Sequence, residues 1–295
     1  MELTINAGKS TATISTLGGE MVSFRRDGLE YAWAGKPEFW SGHAPVLFPT
    51  VGALKERQTE IEGTVYPMKK HGFARKLEFA LAGQKENAAT LILRESPQTK
   101  ETYPYDFELR VTHTVEDTGF KTEFTVANTD SRNIVFGIGG HPGFNCPLFP
   151  DTAFEDYIIR FETQEDGPFY YTRLEDCEGV IHREDRMPGL EGAKEIPLGY
   201  SLFDKDVLVI DRLKSKKISL IHRQTGKGIA FNMNGFTSLG LWSPPEKKAP
   251  FLCLEPWTVN PDFSDATGKL SDKPGVTTLA PGKTFSVSYE VKIID

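Results

Sequence analysis

The sequence is poor in cysteine. Its 295 residues include three, Cys146, Cys177 and Cys253, and no two of them form a C-x-x-C motif. Three cysteines cannot all pair, so the count excludes a disulfide scaffold and a zinc ribbon and is typical of a reducing compartment. A chain of this length buries about 75% of its unfolded surface and needs no covalent link to hold its core. We therefore expect a cytoplasmic protein.

Long runs of basic or apolar residues are also missing. The 34 Lys and Arg residues are outnumbered by 41 Asp and Glu, for a net charge of −7. Nucleic acids and anionic membranes attract basic stripes, and none is visible. No stretch approaches the ~18 apolar residues that span a bilayer, and the first ten residues are too polar for a signal peptide. We expect no nucleic-acid partner and no membrane partner.

Turn-forming and aromatic residues, by contrast, are abundant, with 27 Gly, 19 Pro and 20 Phe. Glycine and proline favour turns, and aromatic residues favour strands. Apolar and polar residues alternate with a period of two, as in half-buried antiparallel strands. No break in composition divides the chain. The sequence thus predicts an all-β fold, a large antiparallel β-sandwich in a single domain over residues 1–295. The alternating runs lie at residues 11–16, 107–115, 121–126, 206–210, 218–221, 229–233 and 285–291.

Some local expectations accompany this fold. Residues 36–40 and 95–101 are each predicted to form a single helical turn, because proline stands near the start of both. Residues 175–195 are polar and contain glycine, which predicts a long surface excursion. His113 interrupts an alternating strand and is predicted to lie at the surface or at the edge of the core.

A histidine surrounded by glycine and proline is the first candidate for chemistry. Residues 139–145 read GGHPGFN, and the neighbours of His141 offer little side-chain packing. Glycine permits close backbone approach, which a ligand cleft uses. A tight turn in which His141 caps a carbonyl is an equally good interpretation at this point. His71, followed by Gly72, has the same character more weakly, and there packing is the favoured interpretation.

Glu255 is the second candidate, at the end of the apolar run 251–257. Partial desolvation raises the pKa of a carboxyl group and makes the carboxylate a better base. The alternative is a salt-bridged glutamate at a strand end. His141 and Glu255 both precede a proline, which holds the preceding residue extended. We hypothesise that Pro142 and Pro256 fix the aim of these two side chains.

Metal and phosphate motifs are not recognisable. The histidines and cysteines do not have the H-x-H, H-E-x-x-H or clustered spacings of metal ligands. The GIGG segment at residues 137–140 is not followed by the lysine of a phosphate-binding loop. We predict no metal and no cofactor.

Taken together, the unusual segments resemble the aldose 1-epimerase (galactose mutarotase-like) family, in its LacX-like, mutarotase-related branch. The similarity runs roughly from residue 14 to residue 291, and five motifs occur in the same order. They are APVLFP at 44–49 with Val51-Gly52 after it, HGFAR at 71–75, YPYDF at 103–107, GGHPGFN at 139–145 and CLEPW at 253–257.

The resemblance implies a β-sandwich known as a supersandwich, with a sugar cleft on the concave face of one sheet. It also implies cofactor-free interconversion of the α and β anomers of an aldose, by a monomer or weak homodimer. Glu255 is implied as the base that takes the anomeric proton, and His141 as the acid that protonates the ring oxygen. Substrate-binding roles are implied for His71, Asp206, Arg75 and Asn145.

The sequence departs from the family at two positions. Relatives commonly carry arginines where this chain has Gly42 and Ala53. Because arginine holds sugar hydroxyls or a phosphate group, another residue must take over part of the recognition. Lys55, Arg57 and Arg75 are the nearest candidates, with Arg75 first because it lies in a matched motif. An exposed salt bridge is the alternative for Arg75, and a charged strand end is the alternative for Asp206.

The expected substrate is a free aldohexose, with galactose or glucose as the default. Two other functions stay open, namely a hexose-6-phosphate mutarotase and a sugar-binding or sensory protein that has lost turnover. A glycosidase needs two carboxylates that flank the scissile bond, and only Glu255 lies in a suitable motif.

Replacing Pro142 or Pro256 by alanine is expected to slow anomer exchange more than it lowers the free energy of unfolding, because the side chain before each proline loses its fixed aim. Exchange rates and urea unfolding of both variants check this. Unchanged exchange in both would contradict the hypothesis.

Overall fold

The computed structural model describes residues 1–173 and 179–295. Cys177 and the first residues of the predicted 175–195 excursion therefore lie outside the described residues. None of the helices in the described part of the chain has the length and apolar character needed to cross a lipid bilayer.

The described chain is built almost entirely from strands. The first twelve are β1 (Glu2–Ala7), β2 (Ser10–Ser15), β3 (Met21–Arg26), β4 (Leu29–Glu30), β5 (Val46–Leu47), β6 (Gln58–Ile61), β7 (Thr64–Pro67), β8 (Ala80–Lys85), β9 (Ala88–Arg94), β10 (Phe107–Glu116), β11 (Gly119–Asn128) and β12 (Ile134–Phe136). They are followed by β13 (Gly139–Gly140), β14 (Gly143–Asn145), β15 (Tyr157–Glu165), β16 (Phe169–Arg173), β17 (Val180–Arg186), β18 (Ala193–Pro197), β19 (Leu208–Ile210), β20 (Lys217–His222), β21 (Gly228–Asn234), β22 (Ser238–Trp242), β23 (Phe251–Trp257), β24 (Thr277–Leu279) and β25 (Thr284–Ile294).

Within residues 1–173 and 179–295, helical structure is limited to single turns. The α-helical turn α1 (Pro97–Lys100) begins at a capping box, in which the Ser96 and Thr99 side chains each bond to the other's backbone N–H. This confirms the predicted turn at 95–101. The turn predicted at 36–40 is a hydrogen-bonded turn from Lys36 to Trp40. The 3₁₀ turns are Lys55–Arg57, Ala74–Lys76, Phe154–Asp156, Pro188–Leu190, Tyr200–Phe203 and Leu270–Asp272.

Two large antiparallel sheets dominate the architecture, which confirms the predicted β-sandwich. The nine-stranded sheet has the order β18-β15-β20-β21-β25-β11-β10-β9-β8. The eight-stranded sheet has the order β17-β16-β19-β22-β23-β13-β5, with β14 also paired to β23. The smaller sheets are β1-β2-β3-β4, β12-β24 and β6-β7.

The main core lies between the two large sheets. Val111 of β10 and Tyr289 of β25, from the nine-stranded sheet, belong to the same buried cluster as Leu252 and Leu254 of β23. The alternate residues of β23 face the other way, and Cys253 and Trp257 join separate clusters on the outer face of the eight-stranded sheet. Strand β23 is buried on both faces, which explains why its sequence reads as a continuous apolar run.

Two local predictions are wrong. The described part of 175–195 is not an excursion, because it contains β17 and most of β18, which are edge strands of the two large sheets. Edge strands expose one face and one row of backbone groups to water, so polar residues suit them. His113 is only 1% exposed. It shares the inward face of β10 with Val111 and Val115, as its position in the alternation requires.

His113 is held as a neutral ring. Its Nε2 lies 3.0 Å from the Gly19 carbonyl oxygen and its Nδ1 lies 3.0 Å from the Thr122 hydroxyl. A carbonyl only accepts, so Nε2 carries the proton and Nδ1 accepts from Thr122. Burial lowers the pKa of His113 from 6.5 to about 4, against a weaker opposing effect of the bond to Gly19.

The wild-type protein is expected to lose stability relative to His113→Gln as the pH falls from about 6.5 to about 4. In this window the unfolded chain binds a proton that the folded chain excludes, so stability is present at higher pH and is lost on acidification, by up to about 3 kcal/mol. Urea unfolding of both proteins at several pH values measures the difference. Parallel pH dependence would contradict this account of His113.

Candidate active site

Five of the six residues predicted to form a site line one pocket on the outer face of the eight-stranded sheet. They come from four separate parts of the chain, and the pocket holds about 700 Å³ of space, part of it open to solvent. The five residues are His71, Arg75, His141, Asp206 and Glu255.

Sheet register brings His141 and Glu255 together. Gly139 pairs with Trp257 and Gly143 pairs with Cys253, so the register that continues between them places His141 directly opposite Glu255. Residues opposite one another in neighbouring strands point to the same face of the sheet. The histidine and the glutamate, which are far apart in the sequence, are therefore a cross-strand pair.

Proline interrupts the ladder on both sides of this pair. Leu254 N–H donates to the Pro142 carbonyl over 3.1 Å, which makes 142 and 254 a hydrogen-bonding position. Pro142 has no backbone N–H, so it cannot donate a second hydrogen bond back to Leu254. Pro256, on the other side of the His141–Glu255 pair, also has no N–H to donate. Strand β13 accordingly ends before His141, and β14 begins after Pro142. Whether the two prolines fix the aim of the side chains stays a prediction.

The two side chains form a buried proton-sharing pair. His141 Nε2 lies 3.2 Å from Glu255 Oε2, and the residues are 8% and 2% exposed. Burial raises the pKa of Glu255 well above its usual range, and the nearby Lys70 partly opposes this shift. Burial also lowers the pKa of His141. Both shifts disfavour charge, so a state in which the pair holds one proton and no net charge is favoured.

Aromatic rings surround His141 and keep water from it. Trp40 stacks on the imidazole, with ring centres 4.9 Å apart and planes 26° apart. The rings of Trp242 and His71 meet it edge-on, each with centres 5.6 Å apart. Trp40 and Trp242 are half-buried and also line the pocket. The two indole rings therefore contribute apolar surface to the pocket.

His71 is a neutral donor held by a strained turn. His71 and Gly72 both have φ of +68°, and a Cβ at residue 72 would lie 2.2 Å from the Phe48 carbonyl oxygen. His71 N–H donates to the Gly52 carbonyl, and Gly52 N–H donates back to His71 Nδ1 over 3.1 Å. Nδ1 is therefore unprotonated, and the proton of the neutral ring lies on Nε2. Burial lowers the pKa of His71 well below its usual range.

The Asp206 carboxylate is positioned by three partners. Trp242 Nε1–H donates to Oδ1 over 2.7 Å, and the Thr172 hydroxyl donates to Oδ2 over 2.9 Å. Lys70 Nζ lies 3.6 Å from Oδ2. Asp206 has a φ of +93°, which costs a non-glycine residue energy and persists only where its surroundings hold it. The alternative of a plain charged strand end does not describe this network.

Arg75 lines the pocket without a carboxylate partner in the described residues. One Nη donates to the Lys70 carbonyl over 3.2 Å, and the buried Nε has no hydrogen-bond partner in the described part of the chain. The proposed exposed salt bridge is therefore not observed. A guanidinium in this state is suited to sugar hydroxyls or an anion.

Asn145 does not lie in the pocket lining. It pairs with Phe251 in the sheet, and its side-chain amide donates to the Glu30 carbonyl over 2.9 Å. This position indicates a structural role, and the substrate-binding role that the resemblance implied stays a prediction. Asn145 lies on the same sheet face as His141, because residues 141, 143 and 145 alternate onto one face, but it is four residues further along the chain.

Other residues occupy the space beside Gly42 and Ala53, the two positions at which the sequence departs from the family. A Cβ at Gly42 would lie 2.4 Å from the Trp40 ring. A Cβ at Gly179 would lie 3.2 Å from Lys70 Nζ and 3.7 Å from the Ala53 Cβ. Trp40 and Lys70 thus stand next to the positions where relatives carry arginine.

Sequence reasoning missed several pocket residues because their signals are not local. Trp40 was noted only as part of a helical turn. Lys70 directly precedes the HGFAR motif, and that adjacency is the one signal that could have found it. Thr172 and Trp242 lie on β16 and β22, whose nearness to the site depends on sheet order.

One group of side chains in the described residues has the composition of a metal site. His141, Cys253 and Glu255 are all buried, and their donor atoms lie within 4.8 Å of one another. The sequence prediction of no metal rested on spacing along the chain, which does not detect ligands that come from two strands. Burial, and to a lesser degree Glu255, raise the pKa of the Cys253 thiol well above its usual range.

Comparison with known proteins gives one consistent family. The family described as aldose 1-epimerase matches residues 1–292. The plasmid-encoded protein LacX of Lactococcus lactis subsp. lactis is 38% identical over 292 residues, which cover 97% of both chains.

Solved structures agree with this result. A galactose mutarotase related enzyme from Lactobacillus acidophilus has a TM-score of 0.90 at 30% identity, covering 100% of this chain and 98% of the other. A galactose mutarotase-like protein from Lactobacillus casei has a TM-score of 0.89 at 31% identity, and the match covers 100% of both chains.

Proposed function

This chain belongs to the aldose 1-epimerase family, and we propose that it is a mutarotase that interconverts the α and β anomers of a free aldohexose. The observation that carries the proposal is the buried pair of His141 and Glu255, with Nε2 and Oε2 3.2 Å apart at the wall of the pocket.

The reaction requires an acid and a base at neighbouring atoms. Opening a cyclic hemiacetal removes the proton of the anomeric hydroxyl and adds a proton to the ring oxygen. These two oxygens are bonded to the same carbon, so the groups that act on them must also lie close together. Opposed side chains on neighbouring strands meet that requirement.

The reactive state is the other arrangement of the single shared proton, in which Glu255 is a carboxylate and His141 is an imidazolium. Glu255 takes the proton from the anomeric hydroxyl while His141 gives one to the ring oxygen, the bond between C1 and the ring oxygen breaks, and an aldehyde forms. Both protein groups lose their charge in this step. Burial raises the pKa of Glu255 and lowers that of His141, so both shifts favour the transfer.

Ring closure reverses these proton movements. The aldehyde rotates about the C1–C2 bond and presents its other face to the ring hydroxyl. His141 takes the proton of that hydroxyl as it attacks C1, and Glu255 returns a proton to the carbonyl oxygen. The pair ends in its starting state, and the sugar leaves as either anomer.

The other pocket residues are suited to hold the sugar. The Nε2–H of neutral His71 and the guanidinium of Arg75 are donors, and the Asp206 carboxylate is an acceptor. Trp40 and Trp242 offer ring faces to the C–H groups of the sugar. The combination of charged and polar groups with aromatic rings suits a ligand that has both hydroxyl groups and C–H faces.

Galactose is the first sugar to test, because two structural relatives are described as galactose mutarotase related and galactose mutarotase-like. A hexose-6-phosphate is the second candidate, favoured by the Arg75 guanidinium, which has no carboxylate partner among the described residues. We propose the cytoplasm as its compartment, since the described cysteines, Cys146 and Cys253, are free thiols.

Wild-type protein is expected to accelerate anomer exchange of at least one sugar, followed by polarimetry or NMR over a panel of aldohexoses and their 6-phosphates. Glu255→Gln and His141→Asn each remove one proton-transfer group and are expected to slow exchange by about 10²–10⁴-fold. Glu86→Gln is the matched control, because it makes the same carboxylate-to-amide change at an exposed residue. This variant is expected to behave as wild type. Wild-type exchange no faster than that of the two site variants on every sugar would overturn the proposal.

A further inference from the structure

We propose that the pocket also contains a binding site for one divalent cation of the zinc type, formed by His141, Cys253 and Glu255. The cation is a reversible inhibitor rather than a cofactor. Its effect on turnover rests on the proposed function, whereas its binding does not.

The three donors form a compact arrangement on one sheet face. Cys253 and Glu255 are two residues apart on β23, so their side chains point the same way. His141 lies opposite Glu255 on the neighbouring chain segment and diagonal to Cys253, which itself pairs with Gly143. All three donor atoms lie within 4.8 Å of one another, so small side-chain adjustments bring them onto one ion.

The donor set selects the ion. Thiolate, imidazole and carboxylate are the usual ligands of Zn²⁺, and three protein ligands leave a fourth position open. His141 and Glu255 line the pocket, whereas Cys253 is buried outside its lining, so a water molecule entering from the pocket is the proposed fourth ligand. Mg²⁺ and Ca²⁺ prefer six or more oxygen ligands, and this site offers one carboxylate.

Charge and proton balance are compatible with a buried ion. Cys253 gives up its thiol proton to solvent, and the proton shared by His141 and Glu255 leaves as well. A dication bound to one thiolate, one carboxylate and one neutral imidazole carries no net charge, which limits the cost of burying it.

The surroundings of His141 argue for a reversible ligand rather than a resident metal. Its Nδ1 is buried and has no hydrogen-bond partner among the described residues. Resident metal sites usually hold the outer nitrogen of each histidine with a second group, and loss of that group weakens binding by about 10–100-fold. The bound cation occupies the Nε2 lone pair and the Glu255 carboxylate, which are the atoms that move protons during turnover.

Binding is tested first without reference to activity. The full-length protein is titrated with Co²⁺ and with Zn²⁺, and the readouts are thiolate-to-Co²⁺ charge-transfer absorption and calorimetric stoichiometry. We expect one ion per chain and a sulfur band that vanishes in Cys253→Ala and Cys253→Ser, with affinity reduced at least about tenfold. Circular dichroism confirms that each variant is folded.

The other two cysteines supply the matched controls. Cys146 is also a fully buried free thiol, and Cys146→Ala is expected to retain the band and the affinity. The variant Cys177→Ala tests the third cysteine, which lies outside the described residues. It is expected to change neither the sulfur band nor the affinity. A wild-type protein without a sulfur band, or a band that survives in both Cys253 variants, would overturn the site.

Inhibition is tested second. Zn²⁺ is expected to stop anomer exchange in the wild type, a chelator to restore it, and Mg²⁺ to have no effect. Relative to its own rate without metal, Cys253→Ala is expected to need at least about tenfold more Zn²⁺ for half-inhibition than the wild type. Equal sensitivity of both proteins would contradict the inhibitory role. If no sugar is turned over, the proposed function fails while the binding titration still decides the site.

Discussion

The opposition of His141 and Glu255 across two strands is the constraint on which the rest of the site depends. Their position is set by the register of β23, and that register is set by the core on the other side of the sheet. Leu252 and Leu254 are fully buried between the two large sheets. A shift by one residue would move them to the pocket face and turn Glu255 into the core, so the packing that stabilises the sandwich also aims the glutamate.

Burial shifts the pKa values of both His141 and Glu255. The free-energy cost of burying these two groups is partly offset by neighbouring charged and polar residues. The aromatic rings and the sheet exclude water from the Glu255 carboxyl group and the His141 ring. The pKa of each group therefore moves in the direction that disfavours its charged form. Lys70 lies between this pair and Asp206, and it lowers the pKa of Glu255. Backbone strain is placed here too, since His71 and Asp206 both have positive φ, a feature that costs about 1–3 kcal/mol per residue and clusters at functional sites.

Much of this arrangement could be predicted from the sequence, for a physical reason. Alternation reports which face of a strand is buried, so the all-β fold followed from it, and clustered glycine, proline and histidine marked His71, His141 and Glu255. What could not be predicted depends on which strands become neighbours. Trp242 holds Asp206 only because β22 and β19 pair, and the burial of both faces of β23 removes the alternation that would have shown which way Glu255 points. Asn145 shares the sheet face of His141 but lies outside the pocket lining, and a motif match does not specify how far a pocket extends along a strand.

The central claim is that His141 and Glu255 act as one unit on one sugar carbon. The most direct measurement is kcat/KM for anomer exchange in Glu255→Gln, His141→Asn and the double variant. Removing either partner ends the coupled proton transfer, so the double variant is predicted to lose about as much as the more damaging single variant. Losses that multiply in the double variant would show two independent contributions and would contradict the account.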